Sequence, residues 1–432
     1  MSRARRGESL CRSWTIVVRS PAVTMDRKVI RSWALYDFGN SAFAVLFPFF
    51  YGTYYADHIV PEGSAHTGEW WWGLTISVSM LAVALSAPLL GGISDHAGMR
   101  KRLLLAYTVL GVLTVLGFTQ VGPGMIVLGF VLGVVANFAF EGGIVFYNSY
   151  LPQIAPPSHH GRVSAQGFAV GYVGSLVALG LAAGAVLFEW GMEFIWIALA
   201  VQWALFAIPA FKNLPPDRPT GIGIRQAAAG GFRQTKETIK SVLGMRRMRR
   251  FLFGYFFYMD GVNTVIVFAG VYAVGTLDFE APELLLLMAL VQLSALGGSL
   301  LMAKPTDVKG PKWVVLRVLL WWILVVTAAH FTESKTMFFV VAVLAGLGLG
   351  SIQASSRALM SRLIPKGREA ELFGFYALCG KTGAILGPFL FGVLTDAYGA
   401  RHAILSVIVF YVAGFFLVRG LQDAPASAPD ST

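Results

Sequence analysis

Residues 31–55, RSWALYDFGNSAFAVLFPFFYGTYY, form an apolar run long enough to cross a bilayer, yet they contain Asp37 and Asn40. An Asp inside a membrane costs roughly 2.5 to 3.5 kcal/mol on insertion scales, so such an acid predicts a function or a polar partner. The same Asp-x-x-Asn spacing returns much later in the chain, at Asp260 and Asn263. Two halves that each open with a buried acid predict a transporter.

The composition favours lipid over water as the surrounding solvent. The chain is 56% hydrophobic and 13% charged, whereas soluble domains carry about 25% charged residues. Its net charge of +11 comes from short basic runs between apolar segments, with no groove-reading module, so we expect no nucleic-acid partner. The two cysteines, Cys11 and Cys379, form no disulfide framework. Phosphate-loop and metal-binding spacings are also missing, so we expect no enzymatic activity, cofactor or metal.

Twelve apolar segments reach the length of about 18 residues that a membrane-spanning helix needs. Lipid cannot satisfy backbone polar groups, so each segment is predicted to be a helix. The predicted spans are 31–56, 70–92, 103–121, 124–148, 163–188, 192–211, 251–275, 283–303, 313–331, 336–358, 371–395 and 402–419.

These spans divide the chain into two six-helix bundles with a linker between them. The predicted organisation is a basic tail at 1–26, a bundle at 27–211, a cytoplasmic linker at 212–249 with an interfacial helix around 232–243, a bundle at 250–420 and a disordered tail at 421–432. The arginine-rich start leaves two alternatives, a transit peptide or a stretch upstream of a true start at Met25, and we favour the second.

The basic residues alternate from one connection to the next. Most of the lysines and arginines between spans lie in the long linker and in residues 100–102, 304–312 and 362–368. The connections on the opposite side are mainly acidic. Because such residues are retained in the cytoplasm, we predict that both termini are cytoplasmic.

A short motif also repeats between the two halves. Residues 94–100, SDHAGMR, and residues 306–312, TDVKGPK, both follow the pattern Ser/Thr-Asp-x-x-Gly-x-Arg/Lys after the second span of a half. A duplicated six-helix unit is typical of transporters whose halves move about a central site.

Residues 91–101, GGISDHAGMRK, resemble the signature loop of the major facilitator superfamily, although Met99 replaces a usual basic residue. The resemblance implies twelve helices in two pseudo-repeats and a cytoplasmic latch in which an acid faces a helix N-terminus. The residues that it places in the latch are Asp95, Gly98 and Arg100 in the first half and Asp307 and Gly310 in the second.

Three longer stretches are similar to the vacuole-effluxer-like branch of that superfamily, whose bacterial members are often called the unknown major facilitator family. They are residues 33–43, WALYDFGNSAF, and the stretches 147–174 and 357–388. The resemblance implies that spans one, four, seven and ten line the pathway, and it links the eukaryotic relatives to amino-acid efflux from the vacuole.

Polar residues inside the spans are the candidates for the substrate or proton pathway: Asp37, Asn40, Asn137, Glu141, Asn148, Asp260, Asn263, Gln353, Arg357 and Lys381. The two aspartates have an alternative role in fixing the packing of helices. Glu141 has no basic neighbour in the sequence, which suits a proton carrier. Lys381 is expected to pair with a carboxylate of the protein or of the solute, and Arg357 to line the pathway or to snorkel to the surface.

The sequence therefore predicts a monomeric secondary active transporter in a bacterial cytoplasmic membrane. Its partners would be a small polar solute, such as an amino acid or related metabolite, and a coupling ion, for which we favour protons over the alternative, sodium. Efflux is one of the two directions left open. Two alternatives stay open, an exporter of amphipathic compounds and a nutrient sensor built on a carrier scaffold.

Overall fold

The computed structural model describes residues 25–218, 220, 244–382 and 386–421, and the regular structure in these ranges is entirely helical. The long helices, in chain order, are α1 (Arg27–Leu46), α2 (Gly68–Ala97), α3 (Arg100–Gly117), α4 (Ile126–Asn148), α5 (His160–Leu187), α6 (Met192–Asn213), α7 (Arg246–Gly275), α8 (Ala281–Val308), α9 (Pro311–His330), α10 (Lys335–Leu363), α11 (Glu369–Thr382), α12 (Leu386–Tyr398) and α13 (Val407–Arg419). Short helical turns join several of them: Phe47–Tyr51, Gly52–Tyr54, Tyr55–Ile59, Phe118–Gln120, Leu151–Ile154, Pro157–His159, Ala400–Ala403 and Ile404–Ser406. The predicted all-α membrane fold is confirmed.

Ten helical stretches in the described part of the chain are long and apolar enough to cross a membrane. The first predicted span is helical but less regular. It continues from α1 through the π-helical turns Phe47–Tyr51 and Tyr55–Ile59. Pro48 lies in the first of these turns, and because proline has no N–H it disturbs the α-helical bonding there. The eleventh predicted span contains the described helices α11 and α12, and residues 383–385 between them lie outside the described ranges.

Three predicted segments fall on residues outside the described ranges: the tail up to residue 24, the interfacial helix at 232–243 and the tail from residue 422. The start of the linker is described. The carboxylate of Asp217 accepts hydrogen bonds from the backbone N–H groups of Lys101 and Arg102 at 2.6 and 3.1 Å. The start of the linker therefore stays attached to the first bundle, because Asp217 caps the N-terminus of α3.

Glycines allow very close helix packing within the second half. A β-carbon on Gly350 would lie 1.8 Å from the carbonyl oxygen of Ala295, and one on Gly298 would lie 2.1 Å from that of Leu347. The backbones of α8 and α10 are therefore in direct contact, as small residues permit in membrane bundles.

The two halves, α1–α6 and α7–α13, meet mainly where α2 packs against α11 and where α5 packs against α8 and α10. The connections after α2, α8 and α10 lie at the same end of the molecule, where Thr306 contacts Arg362 and Asp95 contacts Ala370. These connections carry the basic residues that the sequence places on one side, so we call this end the basic end. It is where polar contacts between the halves are concentrated.

Candidate transport pathway

Asp95, near the end of α2, reaches the other half of the molecule. Its carboxylate accepts hydrogen bonds from the backbone N–H groups of Glu371 at 2.9 Å and Ala370 at 3.2 Å. The first amides of a helix have no partner within it, and its positive dipole end favours a carboxylate. Arg100 strengthens the junction, because its guanidinium lies 2.7 Å from Asp95 and 3.1 Å from Glu369. The α2–α3 turn is thereby attached to the start of α11.

Asp307 makes the same contact in the opposite direction. Its carboxylate accepts hydrogen bonds from the backbone N–H groups of Gly161 at 2.8 Å and Arg162 at 3.3 Å. The Arg162 side chain also lies 3.3 Å from it. These amides belong to the first turn of α5, so each acid of the repeated motif caps the fifth span of the opposite half.

The glycines of the repeated motif have a backbone conformation that other residues rarely adopt. Gly98 ends α2 in the left-handed region, with φ of 64°, and Gly310 precedes α9 with φ of 88°. Glycine populates positive φ without a β-carbon clash. Both glycines let the chain turn sharply just after the acid that caps the other half.

Arg357, on α10, is buried between the two halves. Its Nε donates to Ser164 Oγ at 3.0 Å, one Nη donates to the Ser164 carbonyl at 2.7 Å, and the other donates to Asn148 Oδ1 at 3.1 Å. Only 2% of the residue is exposed. Of the two alternatives for Arg357, the one in which it snorkels to the surface is therefore wrong, because two helices of the first half supply its partners within the protein.

Aromatic rings surround the same guanidinium. Its central carbon lies 4.0 Å from the ring centroid of Phe168, 4.8 Å from that of Trp33 and 5.6 Å from that of Tyr147. Trp33 and Tyr147 stack with centroids 4.5 Å apart. Planar guanidinium groups bind well over aromatic faces, so these rings contribute to the stability of a charge that is removed from water.

Asp37 lies beside this arginine without a close ion pair. Its Oδ2 is 3.9 Å from an Arg357 nitrogen and has no hydrogen-bond partner among the described residues. The Ser41 hydroxyl donates to Oδ1 at 3.4 Å. Gly171 of α5 faces the carboxyl group, and a β-carbon there would lie 3.2 Å from the carboxyl carbon. The acid therefore occupies a space that a glycine leaves between α1 and α5.

Asp260 occupies the matching place in the second half but binds a different group. Both of its carboxylate oxygens lie 2.9 Å from the backbone nitrogen of Gly387 on α12. The residue is fully buried, and a β-carbon on Gly387 would lie 2.1 Å from the Thr264 hydroxyl. Asp260 thus faces Gly387 as Asp37 faces Gly171, and within the described ranges it binds a helix amide and not a cation.

Glu141 and Lys381 form an ion pair across the two halves. Lys381 Nζ, on α11, lies 2.6 Å from Glu141 Oε1, on α4. The glutamate side chain is 8% exposed, whereas the lysine side chain is 39% exposed. Glu141 therefore has a basic neighbour that the sequence could not reveal, which corrects the expectation of an unpaired acid. Of the alternatives for Lys381, the structure favours pairing with a protein carboxylate.

The remaining candidates differ in their surroundings. Gln353 accepts a 2.6 Å hydrogen bond from the Tyr172 hydroxyl of the other half. Asn137 donates to a serine of α2 at 2.7 Å, within the first half. Asn40 is buried, and its side-chain oxygen has no partner among the described residues, while Asn263 is half-buried. Gln353 alone of these four joins the halves through a described side-chain contact.

The arrangement of the helices and the amino-acid sequence both match known proteins. A family model described as "Vacuole effluxer Atg22 like" matches residues 72–427. The chain belongs to the vacuole effluxer Atg22-like family. This Atg22-like protein is 29% identical over 410 residues to the uncharacterized MFS-type transporter YxiO of Bacillus subtilis, a match that covers 91% of this chain and 94% of YxiO.

Solved structures agree on the fold of this Atg22-like protein. The human organic anion transporter MFSD10 (TETRAN) has a TM-score of 0.73 at 16% identity, over 91% of this chain and 99% of that chain. The proton:xylose symporter XylE, a member of the major facilitator superfamily (MFS), has a TM-score of 0.67 at 12% identity, over 91% of this chain and 94% of that chain. The protein is therefore a multi-pass membrane transporter of MFS type.

Helix α5 of this Atg22-like protein supplies contacts that the sequence analysis missed. The resemblance directed attention to spans one, four, seven and ten, whereas Ser164 and Tyr172 lie on the fifth. Both bind residues of α10, and they are eight residues apart, a spacing that keeps them near one helical face. In the sequence, the repeat of hydroxyl side chains at this spacing is the pattern that could have indicated a polar face on α5.

Proposed function

We propose that this protein is a secondary active carrier that moves a small polar solute, an amino acid or a related metabolite, by alternating access. The observation that carries the proposal is the ion pair between Glu141 and Lys381, which joins the two halves inside the predicted membrane region. Charged groups in that region are costly and usually serve transport. The family description, a vacuole effluxer, supports efflux as the direction.

Contacts at the basic end support a state that is closed there. The Asp95 and Asp307 caps and the Arg357 hydrogen bonds all join the halves near this end. Glu141 lies seven residues before Asn148, the last residue of α4, hence about 10 Å deeper along the helix. Because basic connections are retained in the cytoplasm, the proposal places the closed end and both termini there. Opening it must break both caps.

The solute site of the proposal is the ion pair itself. Lys381 reaches exposed space, so a solute carboxylate can approach its ammonium group without first unfolding the surrounding helices. An amino acid also carries an ammonium group that Glu141 can bind. Two opposite charges that bind each other are complementary to a solute with the same two charges.

The same exchange provides a route for proton coupling. When the solute leaves before Glu141 and Lys381 meet again, its ammonium group leaves with it and the buried glutamate has no cation. Uptake of a proton then removes an uncompensated charge from a region of low polarity. In this proposal Glu141 carries the proton, whereas Asp37 and Asp260 fix the packing of helices within their own halves.

Counterflow of radiolabelled amino acids into liposomes that contain the purified protein tests the proposal. We expect counterflow that depends on internal unlabelled amino acid and net uptake that depends on a pH gradient. Both should be lost in Glu141→Gln and Lys381→Met. Stabilisation of the purified protein by amphipathic cations and not by amino acids would instead identify an exporter of such compounds. Binding of amino acids without flux would identify a sensor. Either result would refute the proposal.

A further inference from the structure

A cleft of about 850 Å³ opens at the basic end of the second half. Its walls are the start of α7, the α8–α9 turn, the last turn of α10 and Leu421, which follows α13. Five membrane helices therefore begin or end around it, which places it at the level where lipid headgroups meet the hydrocarbon core. It lies apart from the Glu141–Lys381 pair, on a different part of the second half.

The cleft has a large excess of positive charge. Among the described residues that line it, the basic ones are Arg246, Arg247, Lys309, Lys312 and Arg362. The acidic one, Asp307, is already bound to the first amides of α5. Among the described lining residues, basic side chains therefore outnumber carboxylates, and the charge of Asp307 is directed at another helix.

The deeper wall is apolar. Met248, Leu316 and Leu359 line it together with Trp313. The Trp313 ring also lies 4.3 Å from the Lys309 ammonium group, as measured to its centroid. Tryptophan with neighbouring lysine is typical of the membrane interface, where one end of the site is wet and the other faces hydrocarbon.

We propose that this cleft binds the headgroup of an anionic phospholipid. A phosphate ester fits the cationic rim, and the first carbons of its acyl chains fit the apolar wall. Basic pockets between membrane helices on the cytoplasmic side bind phospholipids of this class. Since Arg362 contacts the Thr306 carbonyl at 3.4 Å, a bound phosphate would also hold the turn that carries Asp307. The lipid would thereby favour the closed basic end.

Native mass spectrometry of the delipidated protein in detergent tests this inference. We expect dioleoylphosphatidylglycerol to bind more tightly than dioleoylphosphatidylcholine, which has the same chains and no net charge. Arg246 and Lys309 are both exposed, so Arg246→Gln with Lys309→Gln should leave the fold intact. Each cation near a membrane surface contributes about a five-fold factor, so we expect about thirty-fold weaker phosphatidylglycerol binding.

The matched control is Arg27→Gln with Lys366→Gln, which removes two exposed cations outside the cleft. We expect it to bind phosphatidylglycerol as the unchanged protein does. Equal losses in both double variants, or equal binding of the two lipids, would overturn the inference. If inorganic phosphate raises the melting temperature as much as phosphatidylglycerol does, the ligand of the cleft is a free anion and not a lipid. If the double variant misfolds, Lys309→Gln alone should still weaken binding about five-fold.

Discussion

Removing one partner of the Glu141–Lys381 pair should have a different cost from removing the other. Lys381→Met leaves a glutamate whose side chain is 8% exposed without its cation, whereas Glu141→Gln leaves a lysine whose side chain is 39% exposed. Breaking a buried pair costs about 3–5 kcal/mol and breaking an exposed one at most about 1 kcal/mol. We therefore expect a loss of about 1–3 kcal/mol for Lys381→Met and less for Glu141→Gln.

Two measurements on the same protein samples separate stability from transport. Thermal unfolding in detergent should rank the melting temperatures as unchanged protein, then Glu141→Gln, then Lys381→Met. Counterflow of the best amino-acid substrate should fall at least about ten-fold in both variants, since each loses one of the two charges that hold the solute.

The exchanged pair, Glu141→Lys with Lys381→Glu, distinguishes a structural link from a binding site. The attraction between the exchanged charges should restore most of the lost melting temperature. Because the positive and negative groups have changed places at the solute site, we expect transport to stay low. Full recovery of transport would refute the reasoning, because it would show that any ion pair at this place suffices. Normal counterflow by Lys381→Met would refute it as well.

Three further predictions concern the contacts between helices. Asp95→Asn should shift the equilibrium away from the closed basic end by about five- to thirty-fold, because a charged cap contributes about 1–2 kcal/mol. Asp26 caps only its own helix, so Asp26→Asn should leave this equilibrium unchanged. Spin-label distances between the two halves measure the equilibrium in both variants. Gly174→Ala should prevent correct folding, since the added β-carbon would lie 2.0 Å from a backbone oxygen. The control is Gly180→Ala on the same helix, where the added β-carbon would have no neighbouring atom within 4 Å, so the melting temperature should be unchanged. Arg357→Lys should lower the melting temperature and abolish counterflow, because an ammonium cannot reproduce the three hydrogen bonds of the guanidinium; normal flux would contradict this.

The sequence by itself determined the class of the protein and its repeat. Lipid admits helices because their backbone groups are bonded within the segment, so long apolar runs could be read as spans without any knowledge of packing. The matching motifs that contain Asp95 and Asp307 could likewise be recognised by spacing. Their glycines, Gly98 and Gly310, follow from the same local need for a positive φ.

The tertiary structure alone decided which charges meet. Glu141 and Lys381 lie on different halves, as do Arg357 and its partners Asn148 and Ser164, and nothing in the order of residues indicates which helix faces come together. The repeat even misled at one point, because Asp37 faces an arginine while its counterpart Asp260 binds a backbone amide. The physical reason is that a buried charge is stabilised by whatever group the packing of the two halves brings within a few ångströms, and that packing depends on the whole set of helices.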